Sequence, residues 1–374
     1  MDQKQMSKEI LLRMVKAFTE NEVAPYDMEI DHTRSYVNNL LDKIKQADFL
    51  STMLPEEYGG AGFDGETTAA MINEIARGNA SLGVTLEGHF KLIDQIVKYG
   101  NQALKDEYLP QAKSRIIGFS MTEPSGGSNP LGITSHAEKH GDKWIINGDK
   151  IMITNGGLAE IYCVLVKTAP TELSFFVVDK DMPGFEYGKQ ENFLGLTGVP
   201  VGEIVMNNIE VDENHLLGKV GMGKEIGDSA HNDARILMGA VLTGIMEHEL
   251  NIVTDYATHR KAIDTPIIQM QGIQRKVADI AIAKETTKLL YQKAAWLKDH
   301  GQDYEEEAAM AKAYGSRSAV KSGDDALQVL GGYGYSLDYP VEHLIRDARA
   351  MELAEGTVEK MRTAIALIEA KNRA

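Results

Sequence analysis

The spacing of hydrophobic side chains changes twice along this chain, and the two changes divide it into three parts. Up to about residue 115 apolar residues recur at helical intervals, as in Ile10, Leu11, Met14, Val15 and Phe18, then Val37, Leu40, Leu41 and Ile44, then Met71, Ile72 and Ile75. The turn Leu54-Pro-Glu-Glu-Tyr-Gly-Gly-Ala-Gly62 separates the second of these runs from the third. From Ile116 to about Leu217 the texture becomes short β-prone runs, Trp144–Ile146, Ile161–Val166 and Ser174–Val178, punctuated by turn signals at Asn147-Gly148, Asn155-Gly-Gly157 and Pro183-Gly184. After Gly223 helical stripes return: Ile273, Val277 and Ile280 form one, and Ala308 to Leu330 reads as a small-residue helix that stops at Gly331-Gly332. The spacing predicts a mainly α chain with a central β-domain (α+β). We place a helical domain at 1–117, a compact antiparallel sheet or small barrel at 118–222, and a helical bundle at 223–374.

Composition narrows the function. A chain of 374 residues can bury a large core, and 43% hydrophobic with 25% charged residues is ordinary for a globular protein. The net charge of −16 argues against nucleic acid, because phosphate binding needs clustered Lys and Arg that the sequence lacks. Cys163, the single cysteine, lies in an apolar run and reads as a buried, inert thiol in a reducing compartment. The start Met1-Asp-Gln-Lys-Gln-Met6 lacks the basic-then-apolar pattern of a signal peptide, and no apolar run reads as a membrane span. A cytoplasmic protein is the expectation.

Three segments carry chemistry. In Phe119-Ser-Met-Thr-Glu-Pro-Ser-Gly-Gly-Ser128 an apolar run becomes a hydroxyl-bearing, glycine-rich corner, where a large planar or phosphorylated molecule can approach the main chain; it also reads as a plain Gly/Ser turn. In Glu352-Leu-Ala-Glu355-Gly-Thr357 a carboxylate follows a partly apolar stretch. Desolvation there would raise its pKa toward the range of a general base, although the same residues read as a helix start with Thr357 as N-cap. In Gln328-Val-Leu-Gly-Gly-Tyr-Gly-Tyr335 a helix ends in two glycines, which suits either a nucleotide or an ordinary C-cap. Other motifs fail on inspection. Gly218-Lys-Val-Gly-Met-Gly-Lys224 resembles a phosphate loop, but Glu225 stands where a Mg²⁺-binding hydroxyl is needed, so it reads as a join. No Gly-x-Gly-x-x-Gly opens a βαβ unit, His248-Glu249 lacks a second His, and the ten histidines show no metal-ligand spacing; no metal is expected, and most of them read as surface or capping residues.

In order along the chain, Leu54–Gly60, Met121–Ser128, Asn147–Lys150, Ile153–Gly157, Gly195-Leu196, Leu217-Gly218, Gln328–Tyr335, Pro340–Glu342, Arg346–Ala348 and Glu355–Thr357 resemble the acyl-CoA dehydrogenase family of flavoproteins. The resemblance implies an N-terminal helical domain, a middle β-barrel-like domain, a C-terminal four-helix bundle, FAD at their junction, and a homotetramer or homodimer. It implies that Phe119, Met121, Thr122, Gly127, Ser128, Met152, Ile153 and Thr154 line the flavin and pyrophosphate, and that Thr357 and Glu359 touch the same cofactor. A neighbouring subunit would add Arg260, Gln271, Gln328, Val329, Gly331 and Gly332. Ser128, Asn232, Arg235, Ala354 and Gly356 would lie along the acyl-CoA. FAD carries two phosphates, so an arginine and backbone amides are needed to meet it in an acidic protein.

The same resemblance makes Glu355 the base that removes the α-proton of an acyl-CoA while the β-hydrogen leaves as hydride to flavin, giving the trans-2-enoyl-CoA. In the family the N–H of the base residue and a ribityl hydroxyl steady the developing enolate; one such donor is worth roughly 3–4 kcal/mol. Some members carry the base on the helix that here holds Asn232 to Arg235, but Ala234 cannot serve. Electrons would pass to an electron-transfer flavoprotein. Alternatives are an enoyl-CoA reductase running the reaction backwards in an anaerobe, an oxidase, and a non-catalytic FAD-binding member. Several positions depart from the family: Met152 replaces a usual Trp and Ala354 a usual Tyr, which implies a wider or ring-accepting acyl pocket unless neighbours fill the space. Asn232 replaces an Asp, His343 an Arg, and His259–Pro266 lacks the usual aromatic and glycine while keeping Arg260.

Overall fold

The computed structural model describes residues 3–373. The N-terminal part is helical: α1 (Gln3–Phe18), α2 (Asp27–Thr33), α3 (Asn38–Gln46), α4 (Gly65–Gly78), α5 (Ala80–Tyr99) and α6 (Gln102–Tyr108). Asp64 starts α4 by accepting from the Thr67 N–H. A single residue, Asn79, breaks α4 from α5: its backbone is extended (φ −163) and its side chain accepts from Leu82 N at 2.8 Å. The helix it starts is buried on all sides, every residue from Ala80 to Ile93 lying inside. Polar residues on α5 are therefore interior by construction, and the site below depends on that.

Among the described residues the middle part is an eight-stranded sheet: β1 (Ile117–Ser120), β2 (His136–His140), β3 (Lys143–Thr154), β4 (Ile161–Ala169), β5 (Glu172–Asp179), β6 (Phe185–Gln190), β7 (Val201–Asp212) and β8 (Leu216–Leu217). The order is β6-β7-β3-β2-β4-β5-β8, mostly antiparallel, with β1 added in parallel on β4 (Ile117 opposite Ile161). Asn147-Gly148 was expected as a turn but lies inside β3, where the pairing with β7 slips by a bulge. Gly148 has φ +136, and a Cβ there would stand 2.2 Å from Ser135 Oγ, so its turn-like composition serves a close strand approach instead. Cys163 is fully buried in β4 and burial pushes its thiol up, in accord with an inert role.

The C-terminal part consists of α7 (Gly223–His259), α8 (Gln271–Asp299), α9 (Glu305–Leu330), α10 (Val341–Met351) and α11 (Val358–Lys371), with a short hairpin of β9 (Lys261–Ala262) and β10 (Thr265–Pro266) between α7 and α8. Alanines 308, 309, 311 and 313 are buried along α9, and a Cβ at Gly315 would lie 2.6 Å from the Thr287 methyl, so small residues let α8 and α9 pack closely. Contrary to the sequence expectation, α7 is long and apolar enough to cross a membrane by length and composition; most of that window is packed inside the bundle, as the central helix of a core requires. Of the histidines, His89 and His343 are interior rather than surface residues. His343 lies 3.0 Å from Asp27, joining α10 to α2 where the resemblance led us to expect an arginine.

Candidate active site

Glu355 sits in the short link between α10 and α11, in left-handed backbone (φ 52), followed by Gly356 at φ 93. A non-glycine residue there costs on the order of 1–3 kcal/mol, and it persists because the surroundings over-determine it. Four cations do so. Lys312, fully buried on α9, donates to the carbonyls of Glu352 (3.2 Å) and Gly356. Arg235 on α7 donates to the Glu355 carbonyl at 3.3 Å. Lys91 on α5 reaches Glu355 Oε1 at 2.5 Å, and His231 Nδ1 on α7 lies 2.7 Å from Oε2. Thr357 caps α11 by accepting from Lys360 N, so the helix-start reading and the carboxylate corner are both realised.

The side chain of Glu355 is 14% exposed. Burial alone would push its pKa up, as the sequence led us to expect, but the Lys91 charge and the His231 contact outweigh burial and hold it well below the usual carboxylate range. The raised carboxyl is a different one. Glu87, one turn before Lys91 on α5 and 2% exposed, is pushed up to about 7 by desolvation, with the negative charge of Glu355 adding to the effect. Its Oε1 lies 3.4 Å from Lys91 Nζ, an ion-pair distance without the alignment of a hydrogen bond. One ammonium thus serves two buried carboxyls and favours one of them.

Lys91 also ties this corner to the Phe119–Ser128 segment, since its Nζ stands 5.9 Å from the centre of the Phe119 ring. His89, on the same helix, accepts from Ile117 N through Nδ1, while Nε2 donates to the Leu50 carbonyl, which registers β1 on α5; burial pushes this imidazole down to about 4, consistent with a neutral ring. Beyond β1 the turn is fixed by Glu123, which meets buried Lys150 at 2.5 Å and accepts from Ser135 N. Those partners overcome burial and hold Glu123 at about 2. The Thr122 carbonyl accepts from Ile151 N at 2.9 Å, placing Met152 beside the turn. A bulge between Lys150 and Ile153 puts Met152 in left-handed backbone (φ 57) and leaves it 47% exposed, with Ile153 buried and Thr154 half-buried. Met121 packs toward Gly227 of α7, and Gly127 and Ser128 are exposed at the tip.

Arg235 is buried and engages Asn232 Oδ1 as well as the Glu355 carbonyl, so the guanidinium supports the corner from behind. Ala354 is exposed and Gly356 half-buried beside Arg235; Glu359 is exposed one turn into α11. A second group of expected residues lines a groove of about 730 Å³: Arg260, Val329, Gly331 and Gly332, with the Arg260 guanidinium 6.0 Å from the Tyr333 ring. Gln328 is exposed beside it, and Gln271 follows the groove residue Met270. Sequence reasoning missed Glu87, Lys91 and His231. The available signal was Glu87-Gly-His-Phe-Lys91, an acid and a base one turn apart in a helix otherwise too apolar to be a surface helix. Among the described residues no group of His, Cys, Asp and Glu could hold a metal ion.

Comparison with known proteins places the whole chain in one family. Family models for the acyl-CoA dehydrogenase N-terminal, middle and C-terminal domains match residues 6–115, 118–209 and 221–368. An acyl-CoA dehydrogenase of Bacillus subtilis (strain 168) is 39% identical over 95% of this chain and 96% of its own length. A 3-(aryl)acrylate reductase of Clostridium sporogenes (strain ATCC 15579) is 32% identical over 96% of this chain and 97% of its own. The solved butyryl-CoA dehydrogenase from Megasphaera elsdenii superposes with a TM-score of 0.95 at 30% identity, covering 99% of both chains. The chain belongs to the acyl-CoA dehydrogenase family, oxidoreductases that act on CH–CH bonds.

Proposed function

We propose that this protein is an FAD-dependent α,β-dehydrogenase of acyl-CoA thioesters in which Glu355 takes the α-proton. The observation that carries the reading is a nearly buried, ionised carboxylate, held in strained backbone at the end of a lysine that also touches Phe119. The residues fit a dinucleotide: a Cβ at Gly127, Gly331 or Gly332 would meet nothing within 4 Å, leaving the main chain open to close approach, and Arg260 stands in the same groove as the last two. Phe119, Met121, Thr122, Gly127, Ser128, Met152–Thr154, Thr357 and Glu359 would hold FAD from one subunit. Arg260, Gln271, Gln328, Val329, Gly331 and Gly332 would hold it from a neighbour in a homotetramer. Exposed Ile282, Leu289 and Trp296, spaced seven residues apart on α8, supply an apolar stripe for such a neighbour. When bound, FAD supplies the hydride acceptor for the β-hydrogen and passes electrons to an electron-transfer flavoprotein.

The chain's own residues do the rest. Lys312, Arg235, Lys91 and His231 orient Glu355, burial around α5 excludes water, and Ser128 and Asn232 steady the thioester arm. Glu355→Gln is expected to retain FAD and to slow flavin bleaching by an acyl-CoA under anaerobic conditions by roughly 10²–10⁴-fold. Bleaching at a near-normal rate would remove Glu355 from the reaction. The similarity to a 3-(aryl)acrylate reductase favours a second reading, reduction of a 2-enoyl thioester with Glu355 giving its proton to the α-carbon. A panel of straight-chain and aryl thioesters, offered to oxidised and to reduced enzyme, separates the two directions and tests whether Met152 and Ala354 leave room for a ring.

A further inference from the structure

The base site has an open side and a closed one. At one oxygen of the Glu355 carboxylate stands His231, 29% exposed; at the other stands Lys91, 7% exposed. A thioester whose arm leaves past Ser128 and Asn232 enters on the His231 side, so the acyl chain beyond its α-carbon points toward Lys91. Little space lies there. A cavity between α5 and α7, lined by Phe90, Lys91, Asp94, Asp233, Ile236 and Leu237, holds about 10 Å³, room for one water and no alkyl chain. Its walls are fixed: Asp94 meets Lys298 at 2.7 Å, and Asp233 accepts from Tyr304 at 2.6 Å and from Gln95 at 2.7 Å. The closed side is also polar. An ammonium has three donors, and Lys91 places one on Glu355; Glu87 lies 3.4 Å away out of alignment, and the Phe119 ring centre 5.9 Å away. A buried donor is left for a ligand. We propose that Lys91 is a specificity-determining residue: it confines the enzyme to short acyl-CoA thioesters and favours those that carry a neutral oxygen acceptor on the γ-carbon.

The proposal rests on Glu355 being the base and names the substrate class of that site. Reacting atoms stand about 3–3.5 Å apart, which sets the α-carbon against the Glu355 carboxylate. Lys91 Nζ lies 2.5 Å from Oε1 of the same group. An oxygen on the γ-carbon spans the gap from the α-carbon to the ammonium, whereas one on the β-carbon would crowd the atom that loses hydride. The acceptor is neutral because Lys91 already stands within ion-pair distance of two carboxyls, and another carboxylate would meet like charge on both sides. An apolar end of the same length would cover a buried donor without pairing it. That asymmetry lets a polar site reject an analogue lacking the matching group. A longer chain meets the Lys91 stem first, and then the Asp94 and Asp233 walls, which are held by their own partners.

The test is a ratio of rates, which cancels any change that a Lys91 substitution makes in Glu355 itself. Holoenzyme is reduced anaerobically by butyryl-CoA, 4-hydroxybutyryl-CoA and hexanoyl-CoA, and the second-order rate of flavin bleaching is measured for each. Wild type should favour 4-hydroxybutyryl-CoA over butyryl-CoA, and butyryl-CoA over hexanoyl-CoA, each by roughly tenfold or more. Lys91→Met keeps the bulk and removes the charge, so the first preference should disappear and the second remain. Lys91→Ala removes both, and hexanoyl-CoA should gain roughly tenfold relative to butyryl-CoA. Equal wild-type rates for any two of the three thioesters, or a preference for the hydroxylated one that survives in Lys91→Met, would overturn the proposal while leaving Glu355 as base. Rapid bleaching of Glu355→Gln holoenzyme would overturn the underlying reading instead. Should the Lys91 variants fail to fold, the three wild-type rates decide alone.

Discussion

Two buried lysines in this molecule sit 2.5 Å from a glutamate, and they are built differently. Lys150 and Glu123 form a closed pair: one cation, one anion, side chains 0% and 1% exposed, with Thr134 and Ser135 donating to the remaining carboxylate lone pairs. Lys91 is shared between Glu355 and Glu87, and only the first is hydrogen-bonded. Burying charge is tolerable when every partner is satisfied, as at Glu123, where the pair fixes the turn after β1. A pair left with one carboxyl too many keeps a proton on one of them, here Glu87, whose carboxyl is pushed up while that of Glu355 is held down. The first device holds a backbone still, and the second holds one carboxylate charged beside a neutral one.

Removing a lysine should separate the two. Lys150→Met strands an ionised Glu123 in the interior, which should cost about 3–5 kcal/mol in thermal or urea unfolding, with much of it recovered in the double variant Glu123→Gln/Lys150→Met. Lys91→Met leaves two carboxyls that can neutralise by holding protons, so the loss should be less than half as large. Equal losses would erase the distinction between a structural and a working pair.

These pairs also mark where the sequence stops being informative. The three-part layout was legible because helical and β spacing are local, and the Phe119–Ser128 and Glu355–Thr357 corners because glycine, proline and hydroxyl residues mark turns wherever they occur. Arg260 and Gly331, both expected from the resemblance to meet one cofactor, share a groove that joins segments far apart in the chain, and composition alone does not bring them together. The Glu355 pKa was misjudged because burial is readable from an apolar neighbourhood, whereas its counter-charges come from α5 and α7. Lys91 carries no local signal of its partner; an ammonium in a buried helix says that some carboxylate must be near, not which one. Asn147-Gly148 misled for the opposite reason: its composition is local, but the contact it relieves, with Ser135, is not.

The smallest expected effect is also the most discriminating. A carboxyl whose folded pKa is raised contributes stability that is fully present below its unfolded pKa and is lost as pH rises through the folded value. For Glu87 that window runs from the ordinary glutamate value of 4.5 up to about 7. Glu123 is the reverse: held at about 2, it contributes stability present above the ordinary value and lost only as pH falls toward 2. Unfolding free energies of wild type and Glu87→Gln, measured from about pH 4.5 to pH 8, should therefore converge or cross. The variant should lose less stability with rising pH, with the difference flat above about pH 7. Parallel curves would mean that Glu87 is already ionised in the resting protein, with Lys91 then balancing two buried carboxylates at once.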